Sequence, residues 1–201
     1  MNKTIKLLLI GKNSFISKNL FFFLKKKIKV KKISYEKFKK IGINRLIHYN
    51  YVCNCSITKN YSSKIYKSNK DLDIAIVKKI KNLDIKFVFL SSRKVYKPGP
   101  NLNENSKIKP IDNYSRNKLI SEKKIKKIIP KKYVILRISN LIGNKNLKKS
   151  TRKNSYTFIY NYLNFIKNKK LVLYQNYYKD FLSINKFEKI FFKNPKKIYD
   201  F

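Results

Sequence analysis

Two serines, a tyrosine and a lysine carry the chemistry this chain offers. The apolar run Phe87 to Leu90 ends in Ser91 and Ser92, and Tyr114 and Lys118 follow about twenty residues later, four apart, where a helix is expected to begin. Residues at that spacing share one helical face. A strand-end hydroxyl, a phenol and an ammonium brought together can pass a proton to or from a reacting oxygen. An unperturbed tyrosine titrates at about 10, and a neighbouring ammonium favours its phenolate. By itself Tyr-x-x-x-Lys says little in a chain with 15 tyrosines and 50 basic residues, where a surface pair on an exposed helix is the plain alternative. The ordered strand and serine pair upstream make the spacing meaningful.

The elements that must hold these groups alternate along the chain. Thr4 to Ile10 reads as a strand broken by Gly11, and Ser17 to Lys27 as a helix. Strand, glycine turn and helix is where a dinucleotide fold seats a pyrophosphate, on the amides of the helix start. Ile28 to Ile33 is expected to be the second strand, Tyr35 to His48 a helix and turn, Tyr51 to Ser56 a strand, and Asp71 to Lys81 a helix. Pro98, Gly99 and Pro100 make a turn, Asn101 to Asp112 a loop over the cleft, and the helix from Tyr114 runs to Ile129 with Pro130 closing it. Tyr133 to Ile138 is a further buried strand. Beyond it lie a basic loop at Lys145 to Arg152, a helix at Tyr156 to Lys167 and a short strand at Leu171 to Tyr174. Strands and helices alternating at this spacing predict an α/β fold, a Rossmann-like doubly wound parallel sheet. The division expected is a nucleotide-binding domain over 1–143 and a small, shortened C-terminal substrate lobe over 144–201, packed on the first.

Ser91, Ser92, Val95, Tyr96, Glu104, Pro110, Tyr114 and Lys118 stand in the order of a known signature. The chain resembles the extended short-chain dehydrogenase/reductase family, the nucleotide-sugar epimerases, dehydratases and reductases. The turn GKNSFIS is similar to the family's G-x-x-G-F-I-G, with Gly11, Phe15 and Ile16 in place and Ser14 and Ser17 standing where glycines are usual. Both serines could offer hydroxyls to phosphate, and Ser17 could cap the helix. Asn54, Cys55 and Ser56 take the place of the small residues beside the nicotinamide-side ribose. Arg137, Asn140 and Gly143 match Leu-Arg-x-x-Asn-x-x-Gly, whose Asn lies near the substrate phosphates, and Lys179 stands for the Arg of Arg-Asp-Phe.

The resemblance implies hydride transfer between a sugar carbon and a nicotinamide. Tyr114 is then acid/base, Ser92 holds the reacting oxygen, Lys118 binds the nicotinamide ribose, and Ser91 lies at the cofactor. A second strand ending in Lys31, Lys32 and Ser34, with the nearest acid at Glu36, favours NADP over NAD, since an acid there would accept from the ribose hydroxyl. The 4,6-dehydratases follow the strand-end hydroxyl with Asp-Glu; Arg93 and Lys94 stand there, which leaves epimerase and 4-keto reductase. A homodimer through the helices near Asp71 to Lys81 and Tyr114 to Ile129 is also implied.

A net charge of +40 would ordinarily point to nucleic acid. Lysine supplies 45 of the 50 basic residues, alanine occurs once, and the lysines are spread along the chain, as A+T-rich coding would leave them. A solvated basic surface is the expectation, with no specific nucleic-acid partner. Cys53 and Cys55 are expected to point to opposite strand faces, or nearly so, and not to pair; with a single histidine they make no metal site. No apolar stretch reaches bilayer length and no leader is read at the N-terminus, so the expectation is a cytoplasmic protein without membrane contact. Beside the enzyme stand two other readings: a non-catalytic Rossmann relative binding a nucleotide or protein partner, motivated by Ser14 and Ser17, and a basic nucleic-acid binder, motivated by charge alone.

Overall fold

Four consecutive apolar side chains, Leu7 to Ile10, are fully buried in β1 (Lys6–Ile10). A strand buried on both faces belongs in the middle of a covered parallel sheet, and each such side chain contributes about 1.5–3 kcal/mol on burial. The computed structural model describes residues 4–143, 181–184 and 198–200. β1 is flanked by β2 (Lys29–Ile33) on one side and β3 (Tyr51–Asn54) on the other; β4 (Lys86–Ser92), β5 (Tyr133–Ile138) and β8 (Ile198–Asp200) complete a six-stranded parallel sheet in the order β2-β1-β3-β4-β5-β8. The chain passes from β1 to β2 and then back to β3 on the other side. That reversal opens a crevice at the C-terminal ends of β1 and β3, where α/β folds bind ligands.

One face is covered by α1 (Phe15–Leu24), whose Leu20 and Leu24 pack on Leu7, Leu9, Cys53, Val88 and Leu136. The other carries α2 (Tyr35–Lys40), α4 (Leu72–Ile80) and α5 (Asn113–Ile128), whose Phe38, Ile74, Val77 and Ile125 meet Leu8, Ile10, Val52, Phe87 and Phe89. Between α2 and β3 lies one short turn of helix, α3 (Ile43–Leu46). The doubly wound sheet is as expected. A small second sheet pairs β6 (Asn140–Ile142) with β7 (Phe181–Ser183) in parallel, so the run after Arg137 lies beside the segment that follows Lys179. Lys179 itself, the helix expected at 156–167 and the strand at 171–174 lie outside the described residues, as does most of 144–201.

Two expectations are corrected. Cys53 and Cys55 do not point to opposite faces. They share the α1 face with their sulfurs 3.9 Å apart, both as free thiols, because residues two apart on a strand lie on the same side. The helix after Gly11 starts at Phe15, not Ser17. Its cap is Ser14, held extended, with Oγ accepting from the Ser17 amide at 3.1 Å.

Candidate active site

The turn after β1 is set by Gly11, whose φ of +93° is open to glycine at little cost. A Cβ there would also strike Ser56, coming within 2.9 Å of its backbone nitrogen. The Gly11 and Lys12 amides both donate to Ile33 O, at 2.8 and 3.0 Å, which ties the turn to the end of β2. The Cys55 amide donates to Ile10 O at 2.8 Å and carries the next segment under the turn. Phe15 and Ile16 begin α1, so their amides belong to the orphan donors of a helix start. Ser17 is fully buried one turn in, and its hydroxyl has no hydrogen-bond partner.

Lys31 and Lys32 part company at the end of β2. Lys31 is exposed, in register with Leu8 on the sheet face away from α1. Lys32 lies on the α1 side, its ammonium 4.3 Å from the centre of the Phe21 ring. Partial burial lowers the Lys32 pKa, and repulsion from Lys18, Lys12 and Lys25 lowers it further. The lysine beside the glycine turn is thus Lys32, which strand parity counted from Leu9 could have identified.

At the end of β4 the two serines diverge. Ser92, 7 % exposed, accepts from the Lys94 amide at 3.3 Å. Ser91 turns to the α5 face and donates to Glu122 Oε1. Glu122 and Arg137 form a buried ion pair at 2.7 Å, and the guanidinium also donates to the Tyr96 hydroxyl at 2.7 Å. The two residues that follow Ser92 are spent on the overlying loop: Arg93 donates to Gly99 O at 2.9 Å and Lys94 pairs with Asp112 at 3.1 Å.

Helix α5 opens on a capping box in which Asp112 accepts from the Ser115 amide at 2.7 Å and the Ser115 hydroxyl receives the Asp112 amide. This start puts Tyr114 and Lys118 one turn apart against the end of β4. The Lys118 ammonium donates to Leu90 O at 2.8 Å and sits 3.9 Å from the Tyr61 ring centre and 4.6 Å from that of Phe89. Burial lowers its pKa, opposed chiefly by Asp73 and Asp71. Tyr114 is pushed up to about 12, by burial first and then by the charges of Asp73 and Asp112. Among the chain's own groups the balance thus runs against the phenolate expected from Lys118, since desolvation and two carboxylates outweigh one ammonium that is anchored on a carbonyl.

Sequence reasoning missed a buried acidic group beneath this pair. Asp71 caps α4, accepting from the Asp73 amide at 2.8 Å, from Tyr66 Oη at 2.6 Å and from Ser121 Oγ. Asp73 accepts from Asn54 Nδ2 at 2.9 Å and touches Tyr61 Oη at 2.7 Å. Asn54 is therefore directed at α4, while Asn140 is exposed on β6. An Asp-x-Asp at a helix start reads as capping in sequence; only its depth of burial marks it as more. Among the described residues no group of three metal-ligating side chains assembles, and no helix is long and apolar enough to cross a membrane.

A dinucleotide fits the Gly11 turn on the chain's own evidence: a positive-φ glycine, a helix start aimed at the crevice, and the unpartnered Ser17 hydroxyl beside it. The model of the NAD dependent epimerase/dehydratase family matches residues 11–185. No curated protein sequence matches the chain. Among solved structures it is similar to a UDP-N-acetylglucosamine 4-epimerase of Methanobrevibacter ruminantium in complex with UDP-N-acetylmuramic acid, at 18% identity and TM-score 0.76, over 99% of this chain and 76% of that one. A dTDP-4-dehydrorhamnose reductase of Clostridium acetobutylicum is 17% identical with TM-score 0.74, over 98% and 74%. A UDP-glucuronic acid 4-epimerase of Bacillus cereus in complex with NAD is 15% identical with TM-score 0.71, over 98% and 78%. Identities this low speak for the fold, and the family match carries the rest. Reaching from the glycine turn through the tyrosine–lysine helix and beyond, it makes this chain a member of the NAD-dependent epimerase/dehydratase family.

Proposed function

We propose that the chain is an NAD(P)-dependent nucleotide-sugar epimerase or 4-keto reductase in which Tyr114 is the acid/base. The carrying observation is the placement of Tyr114 and Lys118 one turn apart at the start of α5, with the Lys118 ammonium on Leu90 O, two residues before Ser92 at the end of β4. Gly11, Ser14, Phe15, Ile16 and Ser17 would hold the pyrophosphate, with Cys55 and the backbone of Asn54 and Ser91, whose side chains are committed to Asp73 and Glu122, at the nicotinamide end and Lys118 on its ribose. Lys32, with Lys12 and Lys18 close by, would favour a 2′-phosphate and so NADP over NAD; Lys31 is the second lysine available there. When bound, the nicotinamide supplies or accepts the hydride at the sugar carbon. Tyr114 transfers the matching proton to or from the oxygen on that carbon, Ser92 holds the oxygen, and the Lys118 ammonium offsets part of the negative charge of Asp71 and Asp73 beneath the tyrosine. A phenol held protonated at neutral pH suits donation to a carbonyl oxygen, the step a keto reduction requires. Asn140 and Lys179 would meet the nucleotide phosphates. With Arg93 and Lys94 committed to the loop, the carboxyl pair of a 4,6-dehydratase has no counterpart here.

A titration with NADPH and NADH, followed by nicotinamide fluorescence at moderate salt, tests the cofactor. Micromolar binding of NADPH, weaker for NADH, is expected. In Tyr114→Phe that binding persists while turnover of keto-sugar nucleotides falls by roughly 10²-fold or more, the scale of one general acid. Binding of neither nucleotide refutes the enzyme. It would favour the second reading, a non-catalytic relative, for which the use of the Ser14 hydroxyl in capping is the supporting observation.

A further inference from the structure

Tyr61 sits on the loop between β3 and α4, yet it is only 1% exposed. Its ring lies against the Lys118 ammonium at 3.9 Å and meets the Tyr114 ring edge-on, centroids 6.4 Å apart. Its hydroxyl touches both oxygens of Asp71 at 3.0 Å and Asp73 Oδ2 at 2.7 Å. A phenol has one proton to give. It cannot donate to Asp71 and to Asp73 at once, so for both contacts to be hydrogen bonds one carboxyl must carry a proton. Asp71 already accepts from Tyr66, Ser121 and two backbone amides, which suits an ionised group. Among the described residues Asp73 accepts only from Asn54 besides its contact with Tyr61, which makes it the natural holder of the proton. The resulting chain runs from an Asp73 O–H to the Tyr61 oxygen and from the Tyr61 O–H to Asp71. Charge counting agrees. Glu122 is matched by Arg137, leaving the Lys118 cation against two buried carboxyls, and the cluster is neutral when one of them is protonated.

We propose that Tyr61 and Asp73 are positioning residues for the Lys118–Tyr114 pair: the Tyr61 ring fixes the ammonium, and the Asp73 carboxyl, by holding or releasing one proton, sets the charge Tyr114 works against. This rests on reading Tyr114 and Lys118 as the reacting pair. The groups around Asp73 are Cys53 and Asn54 from β3, Tyr61 from the loop, Asp71 on its own helix, and Tyr114 and Lys118 from α5, with Glu122 further along facing Lys118 and Tyr66 on Asp71. Burial raises the Asp73 pKa to about 6, opposed first by Lys118 and increased by Asp71. Above that pH an ionised Asp73 makes Tyr114 retain its proton. Below it the opposing charge is gone and the phenol is more acidic.

The test is a pH titration of the full chain labelled with ¹³Cζ tyrosine, the signals of Tyr61 and Tyr114 being identified from Tyr61→Phe and Tyr114→Phe. In the unsubstituted chain both signals are expected to inflect near pH 6 with Asp73. In Asp73→Asn the inflection disappears and the Tyr114 midpoint falls by roughly one unit, a tenfold rise in its acid dissociation constant; Asp73→Glu restores both. A merely structural Asp73 would leave the Tyr114 midpoint where it was in a variant with an unchanged far-UV spectrum, and that result overturns the proposal. Should Asp73→Asn fail to fold, the absence of any inflection in the unsubstituted chain overturns it equally. No cofactor or substrate enters these titrations. A chain that binds neither NADPH nor NADH would sink the enzyme reading and leave only the coupling of Asp73 to Tyr114, with nothing for it to position; an unmoved tyrosine in a chain that binds NADPH would overturn the positioning and leave the enzyme reading.

Discussion

Ser17 is the residue at which folding and the proposed cofactor binding make opposite demands. Its hydroxyl is buried with no partner, and an unsatisfied buried donor costs about 1–3 kcal/mol. Ser17→Ala is therefore expected to raise stability by up to about 1 kcal/mol in chemical denaturation. If the hydroxyl is kept for a phosphate, the same change weakens NADPH binding severalfold. A less stable variant would show the hydroxyl to be satisfied within the fold, and one that binds as tightly as before would show it idle in binding. Gly11→Ala should fail differently: with φ at +93° and Ser56 in the way, it is expected to cost about 1–3 kcal/mol or more and to lose NADPH binding with it. Gly11, Ser92, Tyr114 and Lys118 were legible in sequence because each belongs to a short motif with its own spacing. Tyr61 and Asp73 were not, since they come from separate segments and acquire meaning only where the two meet under Lys118. Cys53, Cys55 and Lys32 were legible in principle. Counting parity along a strand fixes their faces.

The helices follow their caps more closely than their apolar pattern. Pro130 sets the end of α5 within a residue, and Asp112 with Ser115 sets its start one residue before Tyr114. By contrast α1 begins two residues ahead of the apolar reading, because Ser14 captures the Ser17 amide before the periodic stretch begins. Under the proposed function the α5 cap matters for activity, since unwinding that first turn would move Tyr114. Asp112→Ala is expected to cost about 1 kcal/mol at pH 7, and Asp112→Asn much less, because Asn caps nearly as well. Partial burial works to raise the Asp112 carboxyl, but hydrogen bonds from Ser115 and the Lys94 ammonium outweigh it, and its pKa is lowered. A carboxyl lowered on folding stabilises above its ordinary range, and that share fades as pH falls through the folded value. The stability gap between the unsubstituted chain and Asp112→Ala, followed by thermal unfolding, should thus narrow below about pH 4. A gap that stays constant from pH 7 to pH 3 would mean the carboxylate charge contributes nothing at this helix start.

At the scale of the molecule, the alternation of strands and helices was enough to give the sheet its parallel sense. The three-residue strands were out of reach. β6, β7 and β8 are too short to carry a period, and pairing across the chain is what makes them strands. Charge is the other property of the whole. Against 50 basic residues stand 10 acidic ones, and the buried Asp71, Asp73 and Glu122 are already committed inside. Exposed pairs such as Lys39–Glu36 and Lys94–Asp112 are worth about 1 kcal/mol at most, and salt weakens them. Repulsion among the remaining lysines is spread over the whole surface, and salt weakens that too, with a screening length of about 8 Å at 0.15 M. With a net charge of +40, the repulsion is the larger quantity. Raising sodium chloride from about 0.05 to 0.5 M should therefore raise the unfolding temperature, by a few degrees if 1 kcal/mol or so of repulsion is screened. The same lysines should hold the chain on heparin or any DNA duplex at low salt, with affinity falling steeply as salt rises and with no preference among sequences. A melting temperature that falls with salt would show the few ion pairs to dominate. Retention on one DNA sequence over others at 0.2 M salt would mean the lysines are arranged to bind it, and would return nucleic acid to the account.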